Sequence, residues 1–348
     1  MKKLLISSTQ SYSGKSAIAL SLLLILKERG YDVGYFKAFG AKAVRFGNEI
    51  CDEDTYFVEK DLGIKSLCAV VLDRPYIDFA ISEDPVRLKK KIMDTFAELE
   101  NKEVVVIEGG QNFIAGASLE ICDVEISKIL DPQVLLISKF TDDFVIDEII
   151  NAKRFFDEKL HSVILNQVVG YKKSYIKSLS ENVFRKFDLE VLGIIPKDPS
   201  LMSLKIEEIA KAIDGEFLVK PEKEVEIEQV LVGAMRGESA TSYLRHAQNF
   251  ALIVGGDRSD LITLAIESGA KCIISTGNLE PSKLVLSFAE RNKVPILLSK
   301  TDTANTLLKI QEKFGRIRVR GEKIQKMREL VEENVNLNKL FANIGLKW

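Results

Sequence analysis

Residues 4–16 read Leu4-Leu5-Ile6-Ser7-Ser8-Thr9-Gln10-Ser11-Tyr12-Ser13-Gly14-Lys15-Ser16. A short apolar strand over residues 3–7 runs into a loop of small polar residues. The loop ends in Gly-Lys-Ser and opens an apolar helix over residues 15–29, closed by Lys27-Glu28-Arg29-Gly30. Strand, loop and helix in that order are the context a phosphate-binding loop requires. The backbone N–H groups of residues 13–16 would point into one concavity, and the helix start adds partial positive charge there. Lys15 would reach terminal phosphates as a point charge, and the Ser16 hydroxyl would ligate Mg²⁺, which prefers oxygen. The expected nucleotide-binding set is Thr9, Gln10, Ser11, Tyr12, Ser13, Gly14, Lys15, Ser16 and Ala17. One departure is plain: the first glycine of the common G-x-x-x-x-G-K-[ST] pattern is Thr9. A Gly-Lys-Ser turn at a helix start also occurs as a plain cap. Its place directly after an N-terminal strand favours phosphate binding.

Outward from the loop, short β-branched runs alternate with longer amphipathic ones. Strands are expected at residues 32–37, 103–107, 134–137, 162–165 and 189–195, and helices at 85–99, 143–156 and 171–187. Near-continuous apolar strands between helices predict an α/β domain with a parallel sheet covered on both faces. Residues 219–228 (VKPEKEVEIE) are charged, contain Pro221 and lack core periodicity, which marks a linker. A second, smaller α/β series follows, with strands at 229–233, 250–254, 271–275, 295–298 and 316–320. Helices at 322–333 and 336–344 close the chain. The expected division is a nucleotide-binding domain over residues 1–218, a linker over 219–228 and a second domain over 229–348. Residues 316–320 (RIRVR) suit an edge strand with outward arginines.

Composition narrows the function classes. The 348 residues are 46% hydrophobic and 29% charged, too apolar for disorder, and 49 basic against 51 acidic side chains leave a net charge of −2. Without a strong basic field, neither nucleic acid nor an anionic membrane is expected as a partner. The run VRLKKK at residues 86–91 reads as a solvated helix face. No apolar run reaches the ~20 residues of a bilayer span, and no leader pattern is visible, so a cytoplasmic location is expected. Four scattered cysteines and two histidines fit no zinc or redox spacing. His246 reads as a surface residue, and Trp348 as a tail residue, anchored by burial or disordered.

In a parallel sheet, ligands collect outside the carboxyl ends of the strands. Lys37 follows the second strand, Asp54 lies in Cys51-Asp52-Glu53-Asp54, and Glu108 ends the EVVVI strand before Gly109-Gly110. Ser16, Asp54, Glu108, Lys15 and Lys37 would all converge at those strand ends. An acid at a strand end beside phosphates suits Mg²⁺, directly or from behind another ligand, so Glu108 and Asp54 are candidates, with Asp52 competing with Asp54 and surface acids as the plain alternative.

This constellation resembles the dethiobiotin synthetases and the amidating cobyrinate synthases, and the likeness covers about the first 200 residues. The family motif Gly-Thr-Asp-x-x-x-Gly-Lys-[Thr/Ser] falls on Ser8 to Ser16. Gly34-Tyr35-Phe36-Lys37 and Glu108-Gly109-Gly110 are similar to two further family turns, and Leu192-Gly193-Ile194-Ile195-Pro196 to a late strand. The resemblance implies ATP and Mg²⁺ as cofactors, Lys15 and Lys37 as the catalytic cations on phosphate or acyl phosphate, Ser16, Asp54 and Glu108 as the metal ligands, and Asn166 reading adenine with Pro196 nearby. Two departures stand out. Gln10 replaces the family acid, where partitioning ATPases carry a second lysine. Ala38-Phe39-Gly40 lacks the serine used near the diamine substrate.

The second half resembles the DRTGG domain through Gly255-Gly256-Asp257-Arg258-Ser259-Asp260, Ser275-Thr276-Gly277-Asn278 and Thr301-Asp302-Thr303. The pairing is that of the N-terminal part of long phosphate acetyltransferases, whose acyl-transferring domain needs a further ~300 residues. The arrangement implies a stand-alone, phosphotransacetylase-like regulatory protein. At Gly255, Gly256, Asp257 and Arg258, helix capping and a small effector site are equally good readings.

Three functions follow: an ATP·Mg²⁺-binding sensor linked to acyl-phosphate metabolism, an ATP-dependent amide- or lactam-forming ligase on an unidentified small molecule, or a structural interaction module. Phe39 and Phe113 near the site lean away from a polar acceptor. A homodimer is expected, with the apolar face Ile324, Met327, Leu330 and Val331 as core or as a symmetric patch.

Overall fold

In the computed structural model, which describes residues 1–46, 49–170, 173–234, 237–315 and 321–347, the strand that leads into the loop is the middle of a seven-stranded sheet. The strands in chain order are β1 (Lys2–Ser8), β2 (Val33–Gly40), the hairpin β3 (Ala43–Phe46) and β4 (Glu49–Asp52), β5 (Ser66–Val71), β6 (Val104–Glu108), β7 (Gln133–Lys139), β8 (Leu160–Val168) and β9 (Glu190–Pro196). The large sheet takes the order β5-β2-β6-β1-β7-β8-β9, and every pairing in it is parallel. All five residues of β6 and all eight of β2 are buried, as strands covered on both faces must be. Helices α1 (Lys15–Glu28), α2 (Glu53–Leu62), α3 (Tyr76–Ser82), α4 (Pro85–Ala97), α5 (Asp123–Leu130), α6 (Val145–Phe156) and α7 (Lys173–Asn182) complete this part.

The second part holds the antiparallel pair β10 (Leu204–Lys205) and β12 (Glu226–Ile227) and a five-stranded sheet. That sheet comprises β11 (Glu216–Val219), β13 (Gln229–Val232), β14 (Phe250–Gly255), β15 (Cys272–Thr276) and β16 (Ile296–Leu298). Its order is β11-β16-β15-β14-β13, parallel except for the edge strand β11. Its helices are α8 (Ile206–Ile213), α9 (Gly237–Arg245), α10 (Ser259–Glu267), α11 (Lys283–Arg291) and α12 (Thr303–Gly315). Separate apolar clusters line this sheet, one around Phe250, Leu252 and Ile273, the other around Ile253, Ile274 and Leu297.

The α/β class and the parallel sheet stand as the sequence implied, but the division of the chain does not. One compact unit comprises Met1–Lys197 with Val319–Trp348, the other Asp198–Arg318. The seam precedes residue 218 because α8 and β11 pack into the second unit. Residues 219–228 are no free linker: β11 ends at Val219, and Glu226–Ile227 pairs with Leu204–Lys205. The last helices, α13 (Glu322–Asn334) and α14 (Leu337–Asn343), return to the first unit. There α13 packs on α1 and β9, burying Ile324, Met327, Leu330 and Val331. Gly193 pairs with Val335, and a Cβ on Gly193 would stand 2.7 Å from the valine side chain. That apolar face is covered by its own chain, so it is core and not a free symmetric patch. The strand expected at 316–320 and the tail residue 348 lie outside the described residues.

Candidate functional site

The loop is built by backbone strain and side-chain anchors together. Gly14, just before α1, has φ +85°, and a Cβ there would fall 2.2 Å from Asn166 Nδ2. Only glycine meets both demands without cost. Asn166, at the carboxyl end of β8, donates from Nδ2 to the Ser13 carbonyl at 2.8 Å, while its Oδ1 accepts from the Gln167 amide at 2.9 Å. Gln167, itself at φ +57°, donates to the Tyr12 carbonyl at 3.3 Å. Thr9 shares a hydroxyl hydrogen bond of 2.9 Å with Ser138, and Gln10 donates to the Lys139 carbonyl at 3.0 Å. The side chains of Thr9 and Gln10 therefore tie the loop to β7. Ser11 is half-buried, Tyr12 is exposed and Ala17 is buried on α1. Pro196 ends β9 in register with Val168. Among the described residues no acceptor meets the amides of residues 13–17, and the buried Ser13 Oγ has no partner. A row of unmet donors at a helix start is the electrostatic complement of an anion.

Lys15 turns inward. It is only 8% exposed, and its Nζ donates to the Gly109 carbonyl at 2.8 Å and to the Gly110 carbonyl. Burial holds this ammonium below its ordinary pKa, against the opposing pull of Glu108 and Asp123. Ser16 Oγ donates to Glu108 Oε1 at 2.7 Å, and the Tyr35 hydroxyl donates to Glu108 Oε2. Lys37 and Glu108 are paired across β2 and β6, so both arrive at one carboxyl edge. Lys37 Nζ lies 2.8 Å from Asp54 Oδ2, 3.2 Å from Asp52 Oδ1 and 3.6 Å from Glu108 Oε1. Burial works to discharge it, but Glu108, Asp54 and Asp52 outweigh burial and hold its pKa well above the usual value. Asp52 also caps α2, accepting from the Asp54 and Thr55 amides. Its Oδ2 is buried without a partner, and burial raises its carboxyl pKa despite Lys37.

The structure thus brings Lys15, Ser16, Lys37, Asp54 and Glu108 into one cluster. Ser16, Glu108 and Asp54 form an all-oxygen set of the kind Mg²⁺ takes, and the unpaired amides and orphan Ser13 hydroxyl suit phosphate, so the residues present fit a nucleotide with its metal. Among the described residues no group of three or more His, Cys, Asp or Glu side chains is placed to hold a metal ion; the set above adds to the two acids Asp54 and Glu108 only the Ser16 hydroxyl.

Three residues of the cluster escaped sequence reasoning. Tyr35 stands two before Lys37 and so shares its strand face, a signal available from strand periodicity. Asp123 opens α5, accepts from Ser7 Oγ at 2.5 Å and from the Gly110 amide at 2.7 Å, and is held protonated more readily by burial. A Cβ on Gly109 would meet its carboxylate at 2.0 Å. Asp123 therefore positions the two carbonyls that receive Lys15. Neither Asp123 nor Ser7 carries a local motif, and only the fold brings them together. Phe39 and Phe113 belong to aromatic clusters, Phe39 with Tyr76 and Phe79, Phe113 with Phe155 and Phe156.

In the second unit, the turn over Gly255, Gly256, Asp257 and Arg258 is packed against its own chain. A Cβ on Gly256 would stand 1.9 Å from the Leu279 carbonyl, and one on Gly255 2.5 Å from Asp257 Oδ1. Arg258 binds Asp260 through Nε at 3.0 Å and Nη2 at 2.9 Å. Neither Asp257 nor Ser259 caps α10, whose N-cap residue is Arg258 without a side-chain cap.

With this geometry in place, a family model described as "AAA domain" matches residues 2–205. The chain belongs to that family. A second model, the DRTGG domain, matches residues 208–313, so the AAA domain is followed by a DRTGG domain. The ATP-dependent dethiobiotin synthetase of Caldicellulosiruptor saccharolyticus is 35% identical over 116 residues, 31% of this chain and 48% of that protein. The phosphate acetyltransferase of Nitratidesulfovibrio vulgaris is 23% identical over 375 aligned positions, covering 98% of this chain and 51% of that protein. The chain spans about half the length of these curated relatives. Among solved structures, the MinC:MinD cell division protein complex of Aquifex aeolicus matches at 14% identity and a TM-score of 0.38, over 58% of this chain and 83% of that one. The AAA and DRTGG pairing is the one the sequence resemblance implied. Among the described residues no helix is long and apolar enough to cross a membrane.

Proposed function

We propose that the AAA domain binds ATP with Mg²⁺ at the Ser13–Ala17 loop and that occupancy serves a regulatory role linked to acyl-phosphate and acetyl-CoA metabolism. The observation that carries the nucleotide is the inward Lys15 beside a row of unmet amides. Ser16, Asp54 and Glu108 would hold the metal, whose charge offsets that of the phosphates. Similarity to phosphate acetyltransferases along nearly the whole chain supports the metabolic link. Asn166 serves the loop first in this reading, since its amide already holds the Ser13 carbonyl. Two phenyl rings committed to aromatic packing favour a sensor over an enzyme with a polar acceptor pocket beside Lys37. A second cation at the same edge, Lys37, is what favours the alternative: a ligase in which Lys15 and Lys37 neutralise an acyl phosphate.

Calorimetric titration of ATP with Mg²⁺ into the wild type and Lys15→Ala tests the proposal. Binding by the wild type and a loss of about 100-fold, or ~2.7 kcal/mol, in the variant are expected. Equal affinity of both proteins would overturn it. Phosphate release that depends on an added carboxylate would favour the ligase instead.

A further inference from the structure

Lys37 gathers three carboxylates around one ammonium. Three acids from three elements, Asp52 at the end of β4, Asp54 in α2 and Glu108 at the end of β6, converge on its single ammonium at 3.2, 2.8 and 3.6 Å. Lys37 is 5% exposed, and Asp52, Asp54 and Glu108 are 0%, 8% and 3% exposed. Lys42, more distant and exposed, reaches only Asp54, at 3.9 Å. Three buried carboxylates without a counter-charge would cost several kcal/mol each. Two of them, Asp54 and Glu108, belong to the expected metal set, and Ser16 Oγ sits on the Glu108 oxygen nearest Lys37. Asp52 lies outside that set and keeps one buried oxygen with no partner.

We propose that Lys37 is a built-in substitute cation that blocks the divalent-metal site while nucleotide is absent, and that Asp52 is the acid that retains it when Asp54 and Glu108 turn to a metal. Metal and nucleotide then enter together. The phosphates supply the negative charge that draws Lys37 off the acids, and the vacated carboxylates take the metal. Free divalent cation alone does not displace an ammonium held by three carboxylates. This rests on the nucleotide reading above for the partner that draws Lys37 away, but the substitution of lysine for metal is testable without nucleotide.

The probe is Mn²⁺, titrated alone and with ATP into the wild type, Lys37→Met, Lys37→Arg and the double variant Lys37→Met/Asp54→Asn, followed by calorimetry and thermal melting. The wild type and Lys37→Arg should take Mn²⁺ only with ATP. Lys37→Met should bind Mn²⁺ alone at least about tenfold more tightly than the wild type and melt higher when it does, and the double variant should lose that binding. If Lys37→Met is poorly folded by itself, rescue by Mn²⁺ supports the inference, and no rescue overturns it. Equal Mn²⁺ affinity in wild type and Lys37→Met also overturns it, whatever ATP does. Tighter Mn²⁺ binding in Lys37→Met beside a wild type that ignores ATP would remove the nucleotide reading and leave the substitute cation standing.

Discussion

The two parallel sheets end in different chemistry at the same topological place. At the carboxyl edge of the seven-stranded sheet, Lys15, Lys37, Asp52, Asp54, Glu108 and Asp123 are all buried. At the carboxyl edge of the five-stranded sheet, the buried polar groups are hydroxyls: Ser275, Thr276, Ser299 and Thr306. These hydroxyls are met within the chain: Thr276 with Thr303 at 2.8 Å, Thr306 with Ser299 at 2.9 Å and Thr301 at 2.8 Å, and Ser275 donating to the Leu279 carbonyl at 2.6 Å. Neutral groups that pair internally cost little to bury. Ions cost several kcal/mol each even after relaxation, and their mutual attraction seldom returns a surplus. The first edge therefore gathers buried charge at a cost in stability, whereas at the second the turn over Gly256 is packed by Leu279. The difference teaches that a shared strand–turn–helix plan can carry different chemistry at its turn. What matters is whether the turn leaves donors unmet, as residues 13–17 do, or fills its space with its own chain, as Leu279 does over Gly256.

Glycine substitutions should break the comparison most sharply. Gly256→Ala drives a methyl group into the Leu279 carbonyl, a backbone atom that cannot step aside. The second unit should lose about 3 kcal/mol, read as faster hydrogen exchange in β14 and β15, with ATP affinity unchanged. Gly14→Ala should do the reverse. Its positive φ costs a non-glycine residue roughly 1–2 kcal/mol, and the methyl displaces Asn166 from the Ser13 carbonyl. Calorimetry should show nucleotide affinity reduced about tenfold or more, with exchange in the five-stranded sheet unaltered.

The smallest expected effect is a pH dependence confined to the first unit. Burial raises the Asp123 carboxyl above its ordinary value of 3.8. A folded state that holds a proton more tightly than the unfolded one is most favoured below the unfolded pKa and loses that advantage as pH climbs through the raised value. Asp123→Asn can still accept from the Gly110 amide and donate to Ser7. It should flatten the decline in first-unit stability as pH rises above the ordinary carboxylate range, as denaturant melts at stepped pH would register. An unchanged slope would place the titration elsewhere in the cluster.

The seven-stranded core was legible because its strands are continuous apolar runs and its helices amphipathic. The loop was legible because Gly-Lys-Ser follows a strand. The edge strand Ser66–Val71 was missed, although Leu67–Val71 is apolar and Ser66, Ala69 and Val70 are buried, because it opens on a serine and stands beside no recognised motif. Residues 219–228 misled because charge and Pro221 look like a linker even where two of the residues pair with Leu204–Lys205.

By itself, the order of residues determined the phosphate-type loop and the α/β class, because each rests on local spacing or on one-dimensional hydrophobic period; the candidate ligand set Ser16, Asp54 and Glu108 came from resemblance to a family. Only the tertiary structure decided that α13 folds back over α1, that Asp123 steers the carbonyls under Lys15, and that Lys37 is clasped by Asp52, Asp54 and Glu108. Those relations join residues far apart in the chain, and their energies depend on a burial that no short stretch of sequence encodes.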